Sequence, residues 1–260
     1  RGNLIGTDIT GTHAVPNAGG GIWMGGAASG NRIGGRLPGE GNVISGNDGP
    51  AVVLENAGTS DNVFVGNFIG VGLDGVTPVP NTGSGFWVNM GASDNTIGPD
   101  NTIAYNGETG ITVTDSGTVG NTITQNSVFG NDGGGIELSE GGNDGTPAPR
   151  ILSVDLQTGN VTGQAIANAT VEVFDAGRGL QGKWYEGTVV ADEDGNWSFA
   201  KGSAFRALND SATATDENGN TSSFSAILPP AMLYEIWGSN TFDPDSGWSW
   251  GSLESYPANH

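Results

Sequence analysis

Cysteine is absent from the 260 residues, and histidine occurs only at His13 and His260. That excludes thiolate metal sites, cysteine nucleophiles and disulfide frameworks, and it leaves little for histidine-based catalysis or a multi-histidine zinc site. Bases are scarce as well: 8 Lys and Arg stand against 28 Asp and Glu, for a formal charge of −20. A surface of that sign repels phosphate backbones, so nucleic acid is a disfavoured partner. No apolar run approaches the ~18–20 residues of a membrane-spanning helix. No ten-residue stretch carries a 3.6-residue apolar period, so helices are not expected.

Glycine is what the chain has in excess. Its 47 glycines are more than twice the ~7 % share usual in globular chains. They are unevenly placed: 35 of the 47 Gly and 17 of the 25 Asn precede Arg150. A Gly-, Asn- and Pro-rich stretch at Gly141–Pro149 and the Leu228-Pro229-Pro230 step then divide the chain into 1–149, 150–228 and 229–260.

The first part repeats itself. At an offset of 64 residues, Asn3-Leu4-Ile5-Gly6 falls on Asn67-Phe68-Ile69-Gly70, and Gly21-Ile22-Trp23-Met24 on Gly85-Phe86-Trp87-Val88. A smaller unit of about twenty residues is nested inside. Asn42-Val43-Ile44-Ser45 recurs as Asn62-Val63-Phe64-Val65, and Asn101-Thr102-Ile103-Ala104 as Asn121-Thr122-Ile123-Thr124. Each unit holds strands of three to five residues with apolar positions two apart, broken by Gly and Asn. Strands that short have no core of their own. Stacked as turns of a coil, they pair in parallel with the equivalent strand of the next turn and line up inward apolar columns. Gly and Asn suit the corners because they accept positive φ. Asn62, Asn95, Asn101 and Asn121 are expected to form a hydrogen-bonded ladder along such a corner. Thr7–Gly20 and Val71–Ser84 interrupt the coil at equivalent places and should project as stacked loops.

On Asn3-Leu4-Ile5-Gly6-Thr7-Asp8-Ile9-Thr10-Gly11, Gly41-Asn42-Val43-Ile44-Ser45-Gly46-Asn47 and Gly91-Ala92-Ser93-Asp94-Asn95-Thr96-Ile97-Gly98, the first part resembles the bacterial right-handed parallel β-helix repeat proteins. The resemblance covers roughly residues 1–140. It implies a solenoid of about four to five coils in a secreted or surface-attached chain, and it says little about activity, because such folds carry enzymes, adhesins and passive stalks.

A catalytic site is not evident. Lyases of this kind resemble one another in pairing carboxylate-bound Ca²⁺ with a basic side chain, but the solenoid offers only Arg1, Arg32 and Arg36, with no Lys before Lys183. Glycoside hydrolysis needs two carboxylates ~5–10 Å apart. Asp48, Glu55, Asp61, Asp94, Asp115 and Asp132 are the available acids, none in an Asp-Asp pair or beside a His. No catalytic residue is assigned.

From Arg150 the pattern changes to longer alternating strands. Ile151–Leu156, Val161–Ala165, Thr170–Phe174, Trp184–Val190, Trp197–Ala200, Ser211–Thr215 and Ser222–Ile227 predict a seven-stranded antiparallel β-sandwich. On Ala169–Phe174, Asp192–Phe199 and Ala212–Asp216 it resembles the bacterial Ig-like modules that follow such solenoids. Asp192, Asp194 and Asn196, echoed by Asp216, Asn218 and Asn220, alternate oxygen ligands as a Ca²⁺ loop does. The bidentate Glu at position twelve is missing from both, and Asp-Gly-Asn is also a hairpin turn. Calcium is the one cofactor these residues suggest.

The last part gathers Tyr234, Trp237, Phe242, Trp248, Trp250 and Tyr256 within 33 residues. Rings at that density suit either docking on protein or stacking on sugars. At the other end, Arg1 opens directly into repeat sequence with no signal peptide, which reads as a cut piece or a mature chain with an open strand edge. An open coil at one end and an aromatic tail at the other predict head-to-tail self-association into an extracellular or cell-surface filament or surface layer of bacterial type. The alternatives are a carbohydrate-active or carbohydrate-binding module and a fragment of a large adhesin.

Overall fold

A computed structural model describes residues 1–177, 181–206 and 210–225. The six aromatic positions of 229–260 lie outside the described residues. Fourteen short strands wind residues 1–139 into coils. The first coil holds β1 (Leu4–Ile5), β2 (Ile22–Met24) and β3 (Arg32–Gly34). The second holds β4 (Val43–Ile44), β5 (Val52–Glu55) and β6 (Val63–Val65), and the third β7 (Phe68–Ile69), β8 (Phe86–Asn89) and β9 (Thr96–Ile97). The fourth holds β10 (Thr102–Ala104), β11 (Ile111–Thr114) and β12 (Thr122–Ile123). The last is β13 (Ser127–Phe129) and β14 (Ile136–Ser139). Like strands stack in parallel into three sheets, β1-β4-β7-β10-β13, β2-β5-β8-β11-β14 and β3-β6-β9-β12. This is a parallel β-solenoid.

Register turns the apolar alternation into continuous columns. Ile5, Ile44, Ile69, Ile103 and Val128 form one, and Ile22, Val52, Phe86, Ile111 and Ile136 another. Ile33, Phe64, Ile97 and Ile123 close the third side. Phe64 meets Phe86 edge-on across the interior at 5.2 Å, the geometry aromatic quadrupoles favour.

The twenty-residue unit is not a coil. Leu4 pairs with Val43, 39 positions on, Val43 with Phe68, 25 on, Phe68 with Thr102, 34 on, and Thr102 with Ser127, 25 on. Asn42–Ser45 and Asn62–Val65 therefore lie on two faces of one coil, as do Asn101–Ala104 and Asn121–Thr124. The 64-residue repeat is two coils, one long and one short. The extra length sits where expected: Thr7 bridges Ala14 and Val71 bridges Pro78. The two loops stack through the Leu73 N–H, which donates to the Gly11 carbonyl at 3.0 Å.

The corner asparagines form three ladders. Asn62, Asn95 and Asn121 share one with Asn31 and Asn143. Asn101 belongs to another, with Asn3, Asn42, Asn67 and Asn126, so the single expected ladder of four is corrected to two. The third runs Asn17, Asn47, Asn81, Asn106 and Asn131. Asn143 (φ 46°) is the one left-handed ladder asparagine among the described residues. The positive φ expected at the corners falls in part on glycines before ladder asparagines, such as Gly66 (65°) and Gly120 (68°), and in part on Asp61 (57°), Asp94 (55°) and Asp100 (66°) before others. That twist aims the amide that follows inward, along the stack.

From Arg150 the strands are antiparallel. β15 (Arg150–Asp155), β16 (Asn160–Gln164) and β19 (Asn196–Ala200) form one three-stranded sheet. β17 (Thr170–Asp175), β18 (Trp184–Val190) and β20 (Asp210–Thr215) form the other. The seventh strand expected at Ser222–Ile227 is not regular over its described residues. Ser222 and Ser225 bond β20 partly through their hydroxyls, which accept the Ala214 and Ala212 N–H groups at 2.9 and 3.0 Å. Side chains there take the place of ladder partners.

Candidate functional site

The β2-β5-β8-β11-β14 sheet positions a groove on the solenoid surface. Inward Phe86 and Val88 are fully buried and leave Trp87 between them to point outward, 39 % exposed. Parallel register places Trp87 on one outward column with Trp23, Val53, Thr112 and Glu137. Beside this column lies a groove of about 790 Å³, lined by Trp87, Thr112 and Glu137 of the sheet and by Ser84, Glu108 and Asp132 of the turns before it. Glu108, Asp132 and Glu137 are exposed. The Ser84 hydroxyl donates to Glu108 Oε2 at 3.1 Å and Thr109 Oγ1 donates to Glu137 Oε2 at 3.2 Å. Two carboxylates are thereby oriented by buried hydroxyl residues. An exposed indole with fixed acceptors around it suits a polyhydroxylated ligand, whose C–H faces stack on a ring and whose hydroxyls donate. The lining contains no basic residue.

Of the six acids singled out from sequence, Asp132 alone lines this groove. Asp48 is exposed, Glu55 is half-buried on β5, and Asp61 and Asp94 are corner residues. Asp115 accepts the Met90 N–H at 2.9 Å. Arg32 is exposed on β3, and Arg36 is held by Asp100 at 2.6 Å. Glu108 and Glu137 escape sequence reasoning because a twenty-residue unit puts them on other faces. A 25-residue coil would have set Glu137 beside Thr112.

The two candidate calcium loops are built as turns. Asp192 Oδ1 accepts the N–H groups of Asp194 and Asn196 at 3.0 and 2.7 Å. Asp216 Oδ1 accepts those of Asn218 and Asn220, each at 2.9 Å. The second turn also docks on the solenoid, with the Gly120 N–H donating to Asn220 Oδ1 at 2.6 Å and Thr122 Oγ1 to the Gly219 carbonyl at 3.0 Å. Among the described residues no group of three or more Asp, Glu or His is placed to hold a metal ion.

The antiparallel segment covers the last coil by imitating it. Gln181 Oε1 accepts the Asn131 amide at 3.1 Å and so ends the third ladder, and Asn143 passes the first on to the Thr221 carbonyl at 3.0 Å. Glu172 accepts from Thr124 Oγ1 and the Gln125 N–H, and burial raises its carboxyl above the usual range. Deeper in the segment, Asp210 is 5 % exposed and its carboxylate oxygens have no hydrogen-bond partner among the described residues. Burial first, then the charges of Asp175 and Glu186, push it up to about 7, against the pull of Lys201.

A second hollow, of about 320 Å³, brings Lys183 and Arg206 around Trp184 at the solenoid's flank. Among the described residues no helix is long and apolar enough to cross a membrane. Comparison with curated proteins finds no match to the chain. Residues 79–147, which include Trp87, Glu108, Asp132 and Glu137 of the groove but not Gly49 and Pro50 of its lining, match the family model described as the right handed beta helix region.

Proposed function

We propose that this protein is a secreted or cell-surface glycan-binding solenoid, in which the groove beside Trp87 holds a sugar chain without cleaving it. One observation carries the reading: an indole 39 % exposed on a rigid sheet, flanked by oriented carboxylates in a concave site. The antiparallel segment then acts as an end cap and spacer of Ig-like type. It is supported in that role by Gln181, Asn220 and Thr221, which take up polar groups at the end of the solenoid. Affinity electrophoresis through gels containing neutral and acidic polysaccharides tests the reading. Retardation that Trp87→Ala removes supports it, and free migration in every gel overturns it. Reducing ends released by the wild type and not by Glu108→Gln or Glu137→Gln would make the module a hydrolase instead.

A further inference from the structure

The groove's chemistry restricts what it can hold. Its ionisable lining is entirely acidic, Glu108, Asp132 and Glu137, and the whole chain carries −20. Of the described bases, Arg1 and Arg36 are engaged by Glu40 and Asp100 on other parts of the coil, and Lys201 by Glu186. A polyuronate laid against Trp87 would bring like charge to three carboxylates with no counter-charge, a juxtaposition that costs affinity. A sugar bearing an ammonium group meets the opposite situation.

Geometry adds a length and a direction. Trp23 and Trp87 stand on the same outward column, separated by Val53 alone. Two rungs of a parallel sheet put them about 9.6 Å apart, close to the advance of one disaccharide in an extended β-linked chain. Val53 between them is 1 % exposed while Trp23 is 58 % and Trp87 39 % exposed, so the two rings, and not Val53, are what this stretch of the column presents to a ligand. Past Trp87 the column runs through Thr112 to Glu137. Apolar platforms occupy one end and carboxylates the other.

We infer that the ligand is an extended, β-linked amino-sugar chain lying along the solenoid axis, stacked on Trp23 and Trp87 with its ammonium groups at Glu108, Asp132 and Glu137. This rests on the glycan-binding reading above and narrows it. The site belongs to the two-coil repeat itself, since Trp23 and Trp87 are 64 positions apart.

Calorimetric titration of the full chain tests it. Three hexasaccharides are used: β-1,4-linked glucosamine, its fully N-acetylated counterpart, and an oligogalacturonate with and without Ca²⁺. The glucosamine hexamer should bind about tenfold or more tighter than the acetylated one, and added salt should erase most of that margin. Trp23→Ala and Trp87→Ala should each weaken the hexamer by about tenfold, the scale of one lost ring contact. Both rings are on the surface, so these variants keep the core intact, and Glu137→Gln, which keeps an acceptor for Thr109, should remove part of the preference for the amine. Equal binding of the glucosamine hexamer and its N-acetylated counterpart overturns the amino-sugar inference and leaves the glycan reading standing. Preference for the galacturonate, with Ca²⁺ or without, does the same. Binding that ignores Trp23 overturns the axial arrangement, and no binding by any hexamer overturns the amino-sugar inference, while retardation in the polysaccharide gels would still uphold the glycan reading.

Discussion

The solenoid and the antiparallel segment bury polar groups by opposite means. In the solenoid the buried polar side chains are mainly asparagines, and those within the ladders bond the equivalent asparagine one coil away. Asn67, for example, accepts from both nitrogens of Asn42 and donates to Asn101. Asn89, buried with no partner for its Oδ1 among the described residues, stands outside the ladders. The antiparallel segment buries carboxylates instead, Glu172, Asp175 and Asp210, and they depend on particular partners that no repeat supplies. Glu172 finds them on the solenoid, while Asp210 is left with neighbouring charge. Repetition therefore solves buried polarity once for every coil, whereas a single-copy fold must solve it residue by residue.

The strongest way to break that contrast is to remove one rung. Asn67→Leu strands the Asn42 N–H and amide in a site that is fully buried, at ~1–3 kcal/mol for each unsatisfied group. A loss of roughly 4 kcal/mol in urea unfolding is expected. Asn3→Ala, at a half-open ladder end, should cost under ~1 kcal/mol. Equal losses at the two positions would show that the ladders do not act as stacks.

Asp210 supplies the next largest effect, and it depends on pH. The groups facing it are Asp175 on β17, Glu186 on β18 and Lys201 after β19. Its folded pKa is raised from 3.8 to about 7, so the native state keeps a proton that the unfolded chain releases. Stability must then fall as pH rises from about 4 to about 7 and level off above, by at most about 4 kcal/mol. Asp210→Asn should flatten that fall in urea titrations across the window. A variant with the wild-type slope would show that Asp210 is not the group responsible.

Parallel strands, stacked loops and a change of architecture at Arg150 were legible in the sequence because each depends on local alternation or on spacing between like segments. The coil period was not. Strands on two faces of one coil both begin after a corner asparagine, so Asn42-Val43-Ile44 and Asn62-Val63-Phe64 look like successive turns although they sit side by side in the chain's path around one coil. That error put Asn101 in the wrong ladder and kept Trp87, Glu108 and Glu137 apart. A site made by register alone becomes visible only when the register is known. Trp23 and Trp87 could still be matched, because the 64-residue repeat preserves whole coils whatever their individual lengths.

The finest comparison is between two turns of the same chemistry in different surroundings. Asp192–Asn196 is exposed at its polar side chains, whereas Asn220 of the Asp216–Asn220 turn is 1 % exposed and accepts the Gly120 N–H. Asn196→Ala should stay within ~0.5 kcal/mol of wild type, as surface substitutions do, while Asn220→Ala should lose about 2 kcal/mol by orphaning a solenoid N–H. The same pair of variants separates turn from calcium site. A bound ion stabilises the folded state by mass action, so a calcium site at Asp192, Asp194 and Asn196 would raise the melting temperature with added Ca²⁺ and lose that rise in Asn196→Ala. Asp192 Oδ1 is taken by the turn's own two N–H groups, and melting curves that superimpose with and without Ca²⁺ are the expected result.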